Sequence, residues 1–400
     1  MRMIFYEIKK IWSLKILGII ALVCALFYVM FMSYYIEYYR GNHPATENIY
    51  YAEELVRLYG TTITPDEFSE YVTREYGRIK TEAENYFRTI PIFAQAGIYT
   101  LEDFNAMREN RHSPESETAQ MESDAFWTLY GEECDYLGFN LETLEFMADE
   151  FERKSSYIDN PDSFWVDLNE RERERYRELI QNGEHYSILS YWTYENTNNY
   201  AVAFSILAIL AALILVSPLL VSDRHVNLHH LQYSSRLGRK IINRQLAAIL
   251  LSSFLLTTLL ILVFGGIYST NGTYLFWGSN INSEFNLGSY FVFSMTYGQW
   301  VTAMIILMYA LVFGVSTLAF ILSRFSRNLI VLVMKLIPLF AAVAFLCAGL
   351  FNYSFSMLYA PLYQISRVFG IEIYVCGVIV ISCLVASLFV TRREKRVDVV

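Results

Sequence analysis

Six long apolar runs, near residues 16–35, 200–221, 246–268, 299–322, 329–351 and 374–391, leave this chain few folds to adopt. Each holds about 20 mostly apolar residues, enough for a helix rising 1.5 Å per residue to cross roughly 30 Å of hydrocarbon. No water reaches backbone N–H and C=O groups at that depth, so each run must close its own hydrogen bonds as a helix. With 54% hydrophobic residues overall, the runs predict an α-helical polytopic membrane protein with six transmembrane helices. The first run exceeds the apolar core of a cleavable leader. It ends in MSYYIEYYR rather than at a small-residue cleavage site, so it reads as a retained anchor.

Lys and Arg in the short connections set the orientation. Arg2, Lys9, Lys10 and Lys15 precede the first run. Arg224, Arg236, Arg239, Lys240 and Arg244 lie between the second and third, Arg324 and Arg327 between the fourth and fifth, and Arg392, Arg393, Lys395 and Arg396 after the sixth. The opposite short loops offer only Arg367. Both termini are therefore expected in the cytoplasm.

The predicted order starts with a cytoplasmic N-terminal segment at 1–15, a first span at 16–35 and a large extracytoplasmic domain at 36–199. A second span at 200–221, a cytoplasmic loop at 222–245 and a third span at 246–268 follow. Then come an outer loop at 269–298, a fourth span at 299–322, a cytoplasmic loop at 323–328 and a fifth span at 329–351. An outer loop at 352–373, a sixth span at 374–391 and a cytoplasmic tail at 392–400 complete the chain. Tyr34, Tyr35, Trp192, Tyr194, Trp277 and Trp300 fall at predicted outer boundaries, where amphipathic rings favour the headgroup layer.

The long insertion is strongly acidic and the remainder of the chain is net basic. Its punctuation is helical. Thr64 before Pro65 reads as an N-cap, followed by an apolar stripe through Tyr71, Tyr76, Ile79 and Tyr86, and Thr100, Ser116 and Asn140 read as further caps. Asn169 with Glu172 forms a capping box for a helix that ends near Gly183. The arginines from Arg171 to Arg177 alternate with glutamates, which cancels any nucleic-acid footprint and predicts a solvated helix with charge pairs along its face. An all-α domain follows, with no nucleic-acid partner.

The sequence carries no catalytic motif: GxxxxGK[ST], HExxH and GxSxG are all missing. His225 and His229 have a zinc-compatible spacing, but Asp223 is the loop's only carboxylate, no cysteine lies there, and cations surround the pair. No catalytic, cofactor-binding or metal site is expected on this chain. Four of the five cysteines fall in spans, leaving Cys134 without a disulfide partner in the insertion. Lys335 is the clear intramembrane charge, about six residues or roughly 9 Å from the cytoplasmic end. A snorkelling lysine is one reading; a contact on a substrate path is the other. The spans lack the acidic relays of ion-coupled carriers, so energy for any transport should come from a partner.

One stretch matches a wider pattern. Between the second and third runs the chain reads LQYSSRLGRKIINRQLAAILL, and it begins MIFYEIKKIW. Both resemble ABC-2-type (type V exporter) permeases of Gram-positive bacteria, which have a similar Ser-Ser-x-x-Gly-Arg-Lys turn before the third helix and an amphipathic N-terminal segment. The resemblance covers the membrane portion and not residues 37–199. Many relatives carry Lys where Gln245 stands, so no role is carried to that position.

The resemblance implies a permease subunit in a bacterial plasma membrane. It would pair with a second permease subunit, identical or not, and with ABC ATPase subunits that bind ATP and Mg. It also implies that Asp223, Arg224, Leu228, Leu231, Arg236, Gly238, Arg239 and Lys240 form a coupling segment seated on the ATPase. Glu7, Lys9 and Lys10 would lie along the membrane surface beside it. The implied activity is export of an amphipathic, peptide-like or lipid-like substrate, with hydrolysis on the partner. A membrane receptor or immunity protein that senses a peptide through the acidic insertion is the alternative.

Overall fold

The computed structural model describes residues 2–39, 47–110, 119–159, 168–225, 241–283 and 290–396. The coupling residues Leu228, Leu231, Arg236, Gly238, Arg239 and Lys240, and the expected cap Ser116, lie outside them, and for Asp223 and Arg224 the backbone alone is described. In chain order the main helices are α1 (Arg2–Ile11), α2 (Leu14–Phe27), α3 (Glu47–Tyr59), α4 (Pro65–Thr89), α5 (Leu101–Asn110), α6 (Ala119–Leu129) and α7 (Leu137–Asp159). They continue with α8 (Glu170–Gln181), α9 (Tyr191–His225), α10 (Ile241–Leu260), α11 (Tyr297–Arg324), α12 (Leu329–Phe351) and α13 (Ile371–Arg396). Among the described residues β pairing is limited to the isolated bridges Thr62 with Ser187 and Phe291 with Ser356.

Six stretches are long and apolar enough to cross a membrane: Leu14–Met32, Tyr191–Pro218, Ile241–Ser269, Tyr297–Arg324, Leu329–Phe351 and Ile371–Glu394. The chain is a helical multi-pass membrane protein. The helices extend beyond the apolar runs. α9 starts at Tyr191 instead of near 200, and α10 occupies 241–245, which the sequence reading assigned to a loop. Polar residues continue a helix as readily as apolar ones, so an apolar run marks the hydrocarbon-compatible part and not the helix ends.

The chain divides into two compact units. One comprises Met1–Tyr39, Tyr194–Trp277 and Ser289–Val400; the other comprises Arg40–Thr193 and Gly278–Gly288. Within the first, α9 and α11 are the most enclosed spans, with 67% and 56% of their most apolar windows buried, against 11% for α2 and 17% for α12 and α13. α11 packs on α10, α12 and α13, and α1 lies on α10. Small side chains permit the close approaches. The Ser253 and Ser316 hydroxyls meet at 2.8 Å between α10 and α11. A Cβ at Gly314 of α11 would come within 2.7 Å of Ile379 on α13. Such contacts matter because lipid tails are as apolar as leucine, and association in hydrocarbon rests on packing and hydrogen bonds. Tyr194 and Trp300, expected at the headgroup layer, are fully buried and stack at 4.8 Å.

In the second unit α4 is the longest helix, and the Thr64–Glu67 capping box with Pro65 starts it as the sequence indicates. Its buried stripe is Phe68, Tyr71, Glu75, Ile79, Ala83 and Phe87, so Tyr76 and Tyr86 flank the core instead of entering it. A glutamate is tolerated in that stripe because Arg78 and Arg74 donate to it at 2.8 and 3.1 Å. Thr100 caps α5, accepting from Asp103 N at 3.2 Å. Asn140 is not a cap: left-handed backbone at Asp135 and Tyr136 (φ 50° and 57°) turns the chain directly into α7 at Leu137.

Phe87, Phe93, Phe104, Phe126, Tyr130 and Phe139 make a continuous aromatic core, with neighbouring centroids 4.4 to 6.1 Å apart. α8 has its Asn169–Glu172 capping box, and Gly183 follows in the left-handed region at φ 67°. The helix is less solvated than expected. Arg175 is buried and donates two hydrogen bonds to Glu184, at 2.8 and 3.1 Å, and Asn282 Nδ2 donates to the same carboxylate at 2.8 Å. Asn282 belongs to the predicted outer loop 269–298. Part of that loop, 278–288, therefore completes the inserted unit.

Two outcomes follow for this unit. Glu184→Gln removes the two short carboxylate bonds of buried Arg175 and leaves it only the longer pair with Glu178 at 3.8 Å. This should cost up to about 3 kcal/mol, seen as a lower denaturation midpoint of the full chain in nanodiscs. Replacing both partners by apolar residues should restore most of it. Burial pushes the Tyr130 phenol and the Cys134 thiol up to about 12, the thiol helped by the charges of Glu133 and Asp135. Protons are thus held more tightly in the fold than in the unfolded chain. This stability is complete below the unfolded values of 9.0 for Cys134 and 10.0 for Tyr130 and is lost as pH rises toward 12. An alkaline titration by near-UV circular dichroism should show that loss, and Cys134→Ala should reduce it.

Candidate functional site

The first unit encloses a cavity of about 330 Å³ near one end of its helices. α9 contributes Thr197, Tyr200, Ala201 and Phe204, spaced three and four residues apart and so on one helical face. α11 contributes Tyr297, Val301, Met304, Ile305 and Met308 by the same spacing. At the end of α10 a π turn, Ile261–Gly265, widens the helix and sets Ile261, Gly265 and Tyr268 along the wall. Such single π turns are frequent at functional sites. Thr273, Tyr274 and Trp277 form the opposite rim, and Phe351 of α12 contributes to the lining. Among the described residues no Asp, Glu, Lys, Arg or His lines the cavity.

Its polar groups are committed to one another. The Thr197 hydroxyl lies 2.8 Å from Tyr268 OH and 2.7 Å from Tyr297 OH, and Tyr268 OH donates to Asn196 Oδ1 at 2.7 Å. Each hydroxyl has one proton, which fixes the direction: Tyr297 donates to Thr197, Thr197 to Tyr268, and Tyr268 to Asn196. Asn196 Nδ2 then donates to the Tyr35 carbonyl at 2.9 Å. Tyr200 OH donates to Phe264 O within the π turn at 2.8 Å. What remains for a ligand is a wall of rings, methyls and thioethers.

Gly298 is required by the rim. A Cβ there would fall 2.4 Å from the Trp277 ring, which itself is half exposed.

The far end of the same helices carries charge. Arg324 Nη2, at the end of α11, donates to Gln245 Oε1 on α10 at 2.9 Å and lies 3.8 Å from Glu394 on α13, with its guanidinium over Phe320. Gln245, given no role from the sequence, is thus the α10 anchor of a three-helix junction. Lys335 Nζ donates to Phe325 O at 2.7 Å and lies 3.2 Å from Ser326 Oγ, which satisfies a carbonyl at the end of α11. Glu7 is buried on α1 and accepts from Lys10 at 3.2 Å, while Lys9 is exposed. Among the described residues no cluster of metal-ligating side chains occurs.

The cavity was not legible in advance. Its tyrosines and threonines are scattered from Thr197 to Tyr297, and the spacing of 197, 200 and 204 reads equally well as ordinary packing. Comparison with protein-family models, curated proteins and solved structures gives no significant match.

Thr197→Val should break the hydroxyl chain: Tyr297 loses that acceptor for its proton, while Tyr268 keeps its bond to Asn196. A loss of about 1–3 kcal/mol for the lost acceptor is expected, measured as the melting shift of the full chain in nanodiscs. Gly298→Ala should displace Trp277 and shift its fluorescence, with little change in helix content.

Proposed function

We propose that this chain is the permease subunit of an ATP-driven exporter of the ABC-2 type, handling an amphipathic, peptide-like or lipid-like substrate. The observation that carries the reading is the polarity of the membrane unit. An uncharged cavity lies where α9 and α11 begin and α10 and α12 end, and the Arg324, Glu394 and Lys335 contacts lie at the other end.

An apolar or amphipathic molecule can enter such a wall without desolvating a fixed charge. The positive-inside rule makes the charged end cytoplasmic and the cavity end extracytoplasmic in the plasma membrane. The second unit, Arg40–Thr193 with Gly278–Gly288, then stands outside. The segment linking α9 to α10 faces the cytoplasm, where Asp223, Arg224, Leu228, Leu231, Arg236, Gly238, Arg239 and Lys240 would meet a partner ATPase. Closing of the ATPase pair on ATP and Mg would tilt α9 and α10, two of the helices that wall the cavity. A second permease subunit would complete the pathway. This chain supplies binding surfaces and leverage, and the partner supplies hydrolysis.

The partnership is tested by co-purification from cells expressing the neighbouring genes. A stoichiometric ATPase is expected, and Arg239→Glu with Lys240→Glu should reduce its recovery about tenfold or more, since opposed like charges at an interface cost several kcal/mol. Absence of any ATPase from the wild-type preparation overturns the reading. The five cysteines are buried, so topology can be tested separately with introduced thiols. Tyr274→Cys should react with an impermeant maleimide in intact cells, and Arg393→Cys only after the membrane is opened.

A further inference from the structure

The cavity has features that narrow its ligand. Its volume, about 330 Å³, is about twice that of an engineered apolar cavity that admits benzene, and it sits at the lower limit of roughly 300 Å³ for ligand pockets. A diacyl lipid or a folded peptide exceeds it; one hydrocarbon chain does not. The rim and the α11 wall differ in kind. At the rim, Tyr274 and Trp277 are 67% and 52% exposed, and Ser269 is exposed beside them. Further along α11, Met304 and Met308 are buried. Amphipathic rings above and thioethers below repeat the gradient of a membrane interface over its hydrocarbon. The hydroxyls of Thr197, Tyr268 and Tyr297 are engaged with each other, and beyond them Met304 and Met308 offer no strong partner to a polar group. With no charged side chain among the described residues of the lining, a formal charge carried inward would find no counter-ion.

We infer that this cavity binds the hydrocarbon tail of an uncharged single-chain amphipath, tail against Met304 and Met308, with its hydroxyl-bearing head between Tyr274 and Trp277. The inference rests on the cavity being a ligand site, as the proposed function holds, but not on an ATPase partner.

The test uses the full chain in phosphatidylcholine nanodiscs and a monoacylglycerol with a diazirine near the end of its chain. Photolysis followed by peptide mass spectrometry should place adducts on Met304 or Met308, and unlabelled monoacylglycerol should compete them away. Ala201→Phe, which fills the cavity from α9, should lower these adducts at least about tenfold, the equivalent of 1.4 kcal/mol. Val378→Phe, on the exposed face of α13, should leave them unchanged. If Ala201→Phe melts well below the wild type, Ile305→Phe serves as the second filling variant.

Adducts spread over the exposed faces and indifferent to both filling variants would mean bulk lipid contact and would overturn the inference. Stronger labelling by an alkyl-trimethylammonium or a fatty-acid probe of the same length would also overturn it, by assigning the rings a charged ligand. Loss of the ATPase partnership with labelling intact would remove the exporter reading and leave this site standing.

Discussion

The membrane unit depends on a hydroxyl side chain placed where three helical segments meet. Thr197 of α9 takes a hydrogen bond from Tyr297 at the start of α11 and gives one to Tyr268, just beyond the π turn that ends α10. All three side chains are buried from water, so the contact specifies which faces of the helices meet as well as holding them. The consequences can be followed outward. Tyr200 and Tyr268 stack at 4.2 Å, Tyr194 and Trp300 fill the space beside them, and Trp277 lies against the bare backbone of Gly298. A pocket remains because these rings are held by polar tethers and do not collapse onto one another.

The other end of the bundle is organised by charge. Arg324 draws together α10, α11 and α13 through Gln245 and Glu394, and Lys335 closes the end of α11. Each charged group lies near a helix terminus, where a long side chain can reach a partner while its stem stays among apolar neighbours. At the cavity end Glu372 is buried against the backbone of Phe355 and Glu195 accepts from Tyr353, outside the aromatic cavity lining. This arrangement serves a protein that must be gripped on one side and must hold a greasy molecule on the other.

The inserted unit obeys the rules of soluble proteins. Capping boxes at Thr64 and Asn169 start α4 and α8, and an aromatic core runs from Phe87 to Phe139. The buried Arg175–Glu184 pair is completed by Asn282 from a distant part of the chain. A paired buried charge is weak support for stability but strong support for specificity of placement. It records where residues 278–288 must return.

By itself the sequence determined the number of spans, the helical character of the insertion and the residues that start α4, α5 and α8. These rest on local physics: run length against bilayer thickness, and side chains that meet backbone groups three residues away. It misplaced the caps and stripes where tertiary contacts prevailed, as at Asn140, Tyr76 and Tyr86, and it did not record that Tyr194 and Trp300 are buried among other side chains. Only the tertiary structure decided the cavity, the Thr197 relay, the role of Gln245 and the return of 278–288. Each joins residues dozens to hundreds of positions apart, and no periodicity in a single helix records which distant hydroxyl, ring or carboxylate will lie against it.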